Sequence, residues 1–593
     1  MKRFGRLSLA VALLALPLGA ANQKPVVQSP SQPIPVSATQ ILRTGSLRRV
    51  LLSYYTAAEI DKGVYIGGNF CVACHTDKST FLDTQHSTFA RRPMTQYTMV
   101  PKKGVIADQD GNGKDDFIDG LDFNTISSIF DAYKPNAPKL SVKNGTYLVT
   151  IAGIDFPVVA TLGGGPAQAQ RFLVRIPVTD TESKYTKALY FAPFAFDPTL
   201  NPPQYTANAP TSWYDANKQP IFTAATTIAK LGPIAASNYD ATCKGCHVPG
   251  IKSLAKANTG EWVLSAYPAS LYAVDDPAFV DFNGDGNLEL AGIQCENCHG
   301  PGSNHVLNGA DPTKIVNPGK LTAAQQVDVC TRCHVTSKSN PAGTFAWPFK
   351  DDTMTDWLPG SEPIASYFTD TTAYWPDAWL QKSGRPWGDY HTSLHARNTF
   401  EDVSCNICHN VHSRTTNERQ LYASRVDATT KLTIATSPEN DTLCLSCHAT
   451  HGDFAGVSIA MVADYANNED AIGKLVSAHT HHPYTPEGLM GNSNCLQCHM
   501  AATGGGHSWR AIAPELTLKY QAQGGMPNSC AGGATGGCHN SKVNIFGLGL
   551  KSGTTFNTQY DKDLATILQK YYGPGGTWWD TKGNPMSRAT SGK

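Results

Sequence analysis

The sequence predicts a chain of short α-helices and irregular loops wrapped around stacked, covalently held prosthetic groups, with one small β-rich insertion. Three observations carry that expectation. A Cys-x-x-Cys-His motif recurs seven times, its copies are unevenly spaced, and the cysteine-free stretch between the first two copies is patterned like strands. The copies are Cys71/Cys74/His75, Cys243/Cys246/His247, Cys295/Cys298/His299, Cys330/Cys333/His334, Cys405/Cys408/His409, Cys444/Cys447/His448 and Cys495/Cys498/His499. Two thiols at this spacing can each add to one vinyl group of a porphyrin, and the adjacent histidine then reaches the iron, so the motif is that of covalently attached haem c. With 18 histidines in 593 residues, composition alone would place one after all seven pairs with a chance of roughly 10⁻¹¹. Disulfides or zinc knuckles explain paired cysteines but not the histidine after every pair.

The elements follow in chain order. Residues 1–21 read as a signal peptide: Lys2, Arg3 and Arg6 precede the apolar run from Leu7 to Leu18, and Gly19-Ala20-Ala21 offers small residues for cleavage. The chain is therefore expected to be exported, to the periplasm or the extracellular cell surface, and no stretch is apolar enough over about 18 residues to predict a transmembrane segment. Residues 22–60, rich at first in Pro, Gln and Ser, predict an extended N-terminal arm. Residues 61–134 hold the first haem site and a calcium-like loop. Residues 135–235 form the β-rich insertion: Lys139–Thr150 alternates around Asn144-Gly145 as a hairpin does, and Gln170–Val178 and Ala188–Ala195 are further strands. Residues 236–540 predict the multihaem core with a second calcium-like loop. Within it the first cysteines step by 52, 35, 75, 39, 51 and 35 residues, too unevenly for a solenoid. Residues 541–593 form a tail with one helix, Tyr560–Tyr572, whose Leu564, Ile567, Leu568 and Tyr571 share a face and which Gly573-Pro574 ends.

An eighth site is expected at Cys530 and Cys538. The spacer in CAGGATGGCH is seven residues instead of two, but it is small and Gly-rich, and His539 follows the second cysteine as elsewhere. An exported disulfide is the alternative. Eight haems would leave roughly 70 residues of mature chain for each, so the cofactors themselves would supply much of the apolar interior. The proximal iron ligands expected are His75, His247, His299, His334, His409, His448, His499 and His539. The other histidines, His86, His305, His391, His395, His412, His451, His479, His481, His482 and His507, cluster near the sites and are enough to give every iron a second imidazole. Bis-histidine iron has no free position for a substrate, and histidine lacks the potential-raising effect of an axial methionine, so low-potential electron carriers are expected.

Two acidic loops share one pattern. Asp108, Asp110, Asn112 and Asp116, and again Asp281, Asn283, Asp285 and Glu289, place oxygen side chains at positions 1, 3, 5 and 9, with glycine at 6. That is the ligand spacing of a Ca²⁺ loop, and a solvated Asx turn is the alternative. Removing the three leader cations leaves 45 basic against 48 acidic residues, and haem propionates would add negative charge. Nothing here suggests nucleic-acid binding.

The stretches GIQCENCHGPGSNH (292–305), HTSLHARNTFEDVSCNICHNVH (391–412) and HTHHPYTPEGLMGNSNCLQCHMAATGGGHSWR (479–510) resemble the multihaem c-type cytochrome superfamily. That superfamily spans cytochrome c554, pentahaem nitrite reductase, octahaem oxidoreductases and outer-surface cytochromes of metal-reducing bacteria. The resemblance covers most of 60–540 and implies distal roles for His305, His412 and His507. It implies an electron-transfer protein whose partners are other redox proteins or extracellular acceptors, or further copies of itself in a filament. A multihaem reductase of a small nitrogen or sulfur oxyanion is the alternative. The chain lacks the Cys-x-x-Cys-Lys site by which nitrite reductase keeps one iron open.

Overall fold

The computed structural model describes residues 47–93, 128–164, 169–198, 200, 204–269, 279–339, 349–350, 355–371, 374–376, 386–399, 401–480, 482, 484, 494–500, 506–523, 526, 528–530 and 559–572. The leader, residues 22–46, the first calcium-like loop, His481, and Cys538 with His539 lie outside the described residues. The described parts of Pro93–Ala236 and Gly284–Gly286 make one compact unit, and those of Pro35–Arg92, Ser237–Asn283 and Asn287–Lys593 make another.

The first unit is built on six strands in chain order, each antiparallel to the next. They are β1 (Lys139–Lys143), β2 (Thr146–Ile151), β3 (Ile154–Gly163), β4 (Gln170–Val174), β5 (Tyr190–Asp197) and β6 (Gln204–Ala207). The first turn is the expected one: Lys143 pairs with Thr146, and Asn144 (φ 51°) and Gly145 (φ 77°) both take the left-handed conformation that a two-residue hairpin requires. The β2–β3 turn uses Ala152 (φ 51°) before Gly153 (φ 78°). Alanine there costs roughly 1 kcal/mol of steric strain, and Ala-Gly is no turn signature, so this hairpin was invisible in the sequence.

One face of the sheet buries an aromatic cluster. Phe156, Trp213 and Phe222 meet edge to face, with ring centres 4.9–5.7 Å apart. The Trp213 indole N–H donates to the Phe191 carbonyl at 3.0 Å, and the Tyr214 hydroxyl donates to the Asn136 carbonyl at 2.8 Å. The irregular segment after β6 is therefore core.

In the second unit most of the described helices are short, and the long ones are Tyr465–Thr480, of 16 residues, and Gln559–Tyr572, of 14. Helices α1 (Leu47–Leu51) and α2 (Ala57–Lys62) correct the expectation of an extended arm over its whole length. Thr56 and Glu59 form a reciprocal cap at the start of α2. Leu47, Leu51, Tyr55 and Ile60 recur at near-helical spacing and are buried with Tyr65, Phe70, Phe279 and Leu290. Averaging composition over 22–60 hid that period. The tail helix Gln559–Tyr572 forms as expected, burying Leu564, Ala565 and Leu568. Among the described residues no helix is long and apolar enough to cross a membrane.

Candidate functional site

Each motif sits on one turn of helix. The third and seventh are the five-residue helices α3 (Cys295–His299) and α4 (Cys495–His499), and the sixth closes Thr442–His448. The second and fifth lie on tighter turns, Lys244–Cys246 and Cys405–Ile407. Residues three and four apart share a helix face, so one turn presents both thiols and brings the histidine under them. The turn is closed by the backbone itself: the N–H of His75, His334 and His409 donates to the carbonyl of Cys71, Cys330 and Cys405 at 2.8, 3.0 and 3.1 Å.

The fifteen described cysteines, Cys74, Cys498 and Cys530 among them, form no disulfide. Their surroundings differ from one site to the next. Cys74 is exposed, as is Cys447, although both are expected haem thiols. The Cys74 N–H donates to the Cys71 carbonyl at 3.1 Å, which sets Cys74 on the outer end of the first turn. There the protein alone does not enclose the sulfur. Cys498 is half-buried, and its fixed contact is made by the backbone: its carbonyl accepts from the Ser529 hydroxyl at 2.7 Å. That bond ties the seventh turn to the residue before Cys530, a link across 31 positions that the motif spacing does not foretell.

Tertiary structure then brings motif histidines to non-motif ones. His75 faces His305 with ring centres 6.4 Å apart, His299 faces His412 at 6.2 Å, His409 faces His507 at 6.4 Å, and His499 faces His479 at 6.1 Å. His448 faces His395 at 5.9 Å and His334 faces His86 at 6.2 Å. Two metal–nitrogen bonds of about 2 Å end to end, plus the reach from each nitrogen to its ring centre, come to roughly 6 Å. The donor set and its spacing therefore fit an iron between each pair. The first four pairs are inclined by only 12–31°, the last two by 73–79°.

Four of these rings engage their second nitrogen with a backbone carbonyl. Nδ1 of His299, His305, His409 and His499 lies 2.8–2.9 Å from the carbonyls of Val316, Asp311, Arg419 and Trp509. A proton on Nδ1 shared with a carbonyl leaves the Nε2 lone pair for a metal and fixes the ring. His479 differs, because its Nδ1 meets the Asp453 carboxylate at 2.7 Å. Burial holds His86, His299, His395, His409, His412 and His448 below the ordinary imidazole value, which favours the neutral, ligating form.

His247 bonds through Nδ1 to the Tyr239 hydroxyl at 3.2 Å, and the Phe89 ring lies 4.4 Å from its own. The six pairs do not include His391, His451 or His482. Each of these also engages Nδ1 with a carbonyl, of Trp387, Ala449 and Thr480 at 2.7–2.9 Å, and His391 stacks on Trp387 at 4.2 Å.

Sequence reasoning missed the motif spacers. Glu296, fully buried, accepts N–H bonds from Ile66, Gly67 and Gly302 at 2.7–3.0 Å, and burial pushes its carboxyl up to about 7. Arg332 is buried against Asp356 at 2.8 Å, and Lys244 against Asp240 at 3.4 Å. The available signal was charge inside a motif whose neighbourhood must be apolar.

The second calcium-like loop is only partly as expected. Glu289 is buried, accepts from the Ala266 N–H at 3.0 Å and lies 3.8 Å from the Lys244 ammonium, so its carboxylate is committed to the interior. Gly284 (φ 78°) leaves room for the Arg175 guanidinium, which packs directly on it. Among the described residues no group of three or more His, Cys, Asp or Glu is gathered as for a metal ion.

No protein-family model matches the chain, and no curated protein matches it. Among solved structures, one neighbour is the outer cell wall cytochrome OcwA, with a TM-score of 0.44, 15% identity and 86% of each chain covered. Another is an undecahaem cytochrome from the S-layer of Carboxydothermus ferrireducens, with a TM-score of 0.30 and 14% identity. That match covers 79% of this chain and 55% of the other, so the chain spans about half of that neighbour's length. The chain thus resembles multihaem c-type cytochromes in its motifs and has two cytochromes among its structural neighbours.

Proposed function

We propose that this chain is an exported octahaem c-type cytochrome that carries electrons along bis-histidine haems. The observation that carries the reading is the set of six histidine pairs spaced at 5.9–6.4 Å. Bound haem would supply the one-electron couple. The chain's own residues do the rest. Cysteine pairs, from Cys71 with Cys74 to Cys495 with Cys498, fix each cofactor edge. Paired imidazoles would hold the iron, and the carbonyls on Nδ1 of His299, His305, His409 and His499 fix those rings so that little has to move on electron transfer. A site filled on both sides gives a substrate no iron position to bind, which favours a carrier over a reductase. Redox proteins or extracellular acceptors at the cell surface, or further copies of the chain, are its partners. The eighth haem is held by Cys530, Cys538 and His539. Calcium in this reading is bound by Asp108, Asp110, Asn112 and Asp116, and by Asp281, Asn283 and Asp285 without Glu289. A chelator that leaves the melting temperature unchanged would remove the calcium.

The test is the spin state of the purified, haem-loaded protein. The paired sites should contribute only low-spin ferric signals, and His305→Ala or His507→Ala should each create one high-spin haem while all covalent haem masses persist. A wild-type high-spin haem that turns over nitrite, hydroxylamine or tetrathionate would replace the carrier with the reductase.

A further inference from the structure

Resting on the reading of the motifs as haem sites, we infer that the seven described sites form a forked electron route. They run in the order one, three, four, five, six, seven, with site two joining at site four. A thioether sulfur stands one carbon from the porphyrin edge, so sulfurs of two motifs in contact bring two macrocycle edges together.

Three links are made by hydrogen bonds between the motif segments. Glu296 of site three accepts from the Gly67 N–H just before Cys71 of site one, Gln326 on the helix that ends at site four accepts from the Ser404 hydroxyl next to Cys405 of site five, and Asp441 just before site six accepts from the Cys495 N–H of site seven, at 2.7, 3.0 and 2.7 Å. Glu296 also holds the Ile66 N–H. A methyl on Gly68 would touch the Cys295 sulfur at 3.5 Å.

The remaining links define the fork. Sites two and four exchange sulfur contacts: Cys246 Sγ reaches the Arg332 carbonyl at 3.5 Å, and Cys333 Sγ reaches the Cys246 carbonyl at 3.6 Å. Cys298 of site three packs with Cys246 on the same apolar cluster, around Val329 and Trp357. Asn297 also donates to the Val248 carbonyl at 2.8 Å, tying the third motif to the chain just past the second. The Cys408 carbonyl of site five accepts from the Tyr422 N–H at 2.9 Å, and Arg425, three residues on, donates to the Cys447 sulfur of site six at 3.2 Å, which continues the trunk. Three ends follow, at sites one, two and seven, so the protein can join two electron sources to one acceptor or split one source between two.

The test is the iron positions in the haem-loaded full chain, located by anomalous scattering at the iron edge. The fourth iron should have the second, third and fifth as neighbours, and the first should lie beside the third. An iron two nearest to iron five, six or seven, or an iron four with one neighbour, overturns the fork. Pulse radiolysis gives a second reading. Removing site five by Cys405→Ala with Cys408→Ala should abolish the fast redistribution phase between the two halves. Removing site two by Cys243→Ala with Cys246→Ala should leave that phase intact, and equal loss in both variants overturns the proposal. The two readings fail separately. This order with a substrate-converting high-spin site would sink only the carrier, and low-spin haems in another order would sink only the fork.

Discussion

The β-rich unit and the motif-bearing unit solve the same burial problem differently. The first packs Phe156, Phe172, Phe194, Trp213 and Phe222 into a continuous aromatic core under an antiparallel sheet, as a protein without cofactors must. The second has apolar clusters broken into small groups, and it buries Glu296, Arg332, Lys244 and Asp441 beside its motif turns. A charged group inside a cluster is tolerated only where hydrogen bonds and partners compensate it. Here those charges act as fasteners between segments far apart in sequence. Glu296 joins the third motif to the residues before the first, and Asp441 accepts from the Cys495 N–H at 2.7 Å to join the sixth to the seventh. The difference teaches that one unit is held by a continuous apolar core and the other by small apolar clusters joined through polar crosslinks between its motif turns.

The largest expected effect separates the two outright. Expressed without haem attachment, the chain should lose amide protection around Ile472 and Val476 while keeping it in β3, β4 and β5. Hydrogen exchange followed by mass spectrometry measures this, and equal protection in both units would break the comparison. Next, Phe156→Ala should cost about 3–5 kcal/mol in the unfolding of the β-rich unit, because the edge-to-face cluster cannot close over the gap. The haem absorption bands should not change, and a shifted Soret band would mean that the units do not stabilise themselves independently.

Glu296→Gln should cost about 1–3 kcal/mol, since an amide NH₂ would face backbone N–H groups that need an acceptor. Its pH dependence has a definite sign. Burial raises the folded carboxyl to about 7, so the group's contribution is fully present below its unfolded value and is lost as pH rises through 7. Thermal melts between pH 4 and pH 8 should show that slope in the wild type and not in the variant. The smallest effect concerns one haem. Asp453→Asn should raise the reduction potential at the His479–His499 site, because a carboxylate on Nδ1 makes the imidazole more electron-donating than a carbonyl does. Spectroelectrochemistry would show one component moving and no change of spin state. A downward shift would remove the distinction between His479 and the carbonyl-bonded histidines.

Local chemistry was legible. The Cys-x-x-Cys-His turns, the hairpin at Asn144-Gly145 and the helix at Gln559–Tyr572 each depend on residues within a few positions of one another. The helices at Leu47–Leu51 and Ala57–Lys62 were legible in principle, through Leu47, Leu51, Tyr55 and Ile60, but a Pro- and Ser-rich beginning masked their period. The Ala152-Gly153 turn was not, because the register of β2 on β3 imposes it against local preference. Nor was the contrast between exposed Cys74 and half-buried Cys498, since identical motifs differ only in what the rest of the chain packs against them.

By itself, then, the sequence determined where the Cys-x-x-Cys-His motifs lie and how each of them turns, because a five-residue motif and a single helical turn are short-range objects. Only the tertiary structure decided which histidine faces which. His75 meets His305 and His86 meets His334 across long stretches of intervening chain, and spacing along the chain carries no record of that. It likewise turned Glu289 from an expected calcium ligand into a partner of Lys244, because a buried ammonium must be met by carboxylates wherever the fold brings them.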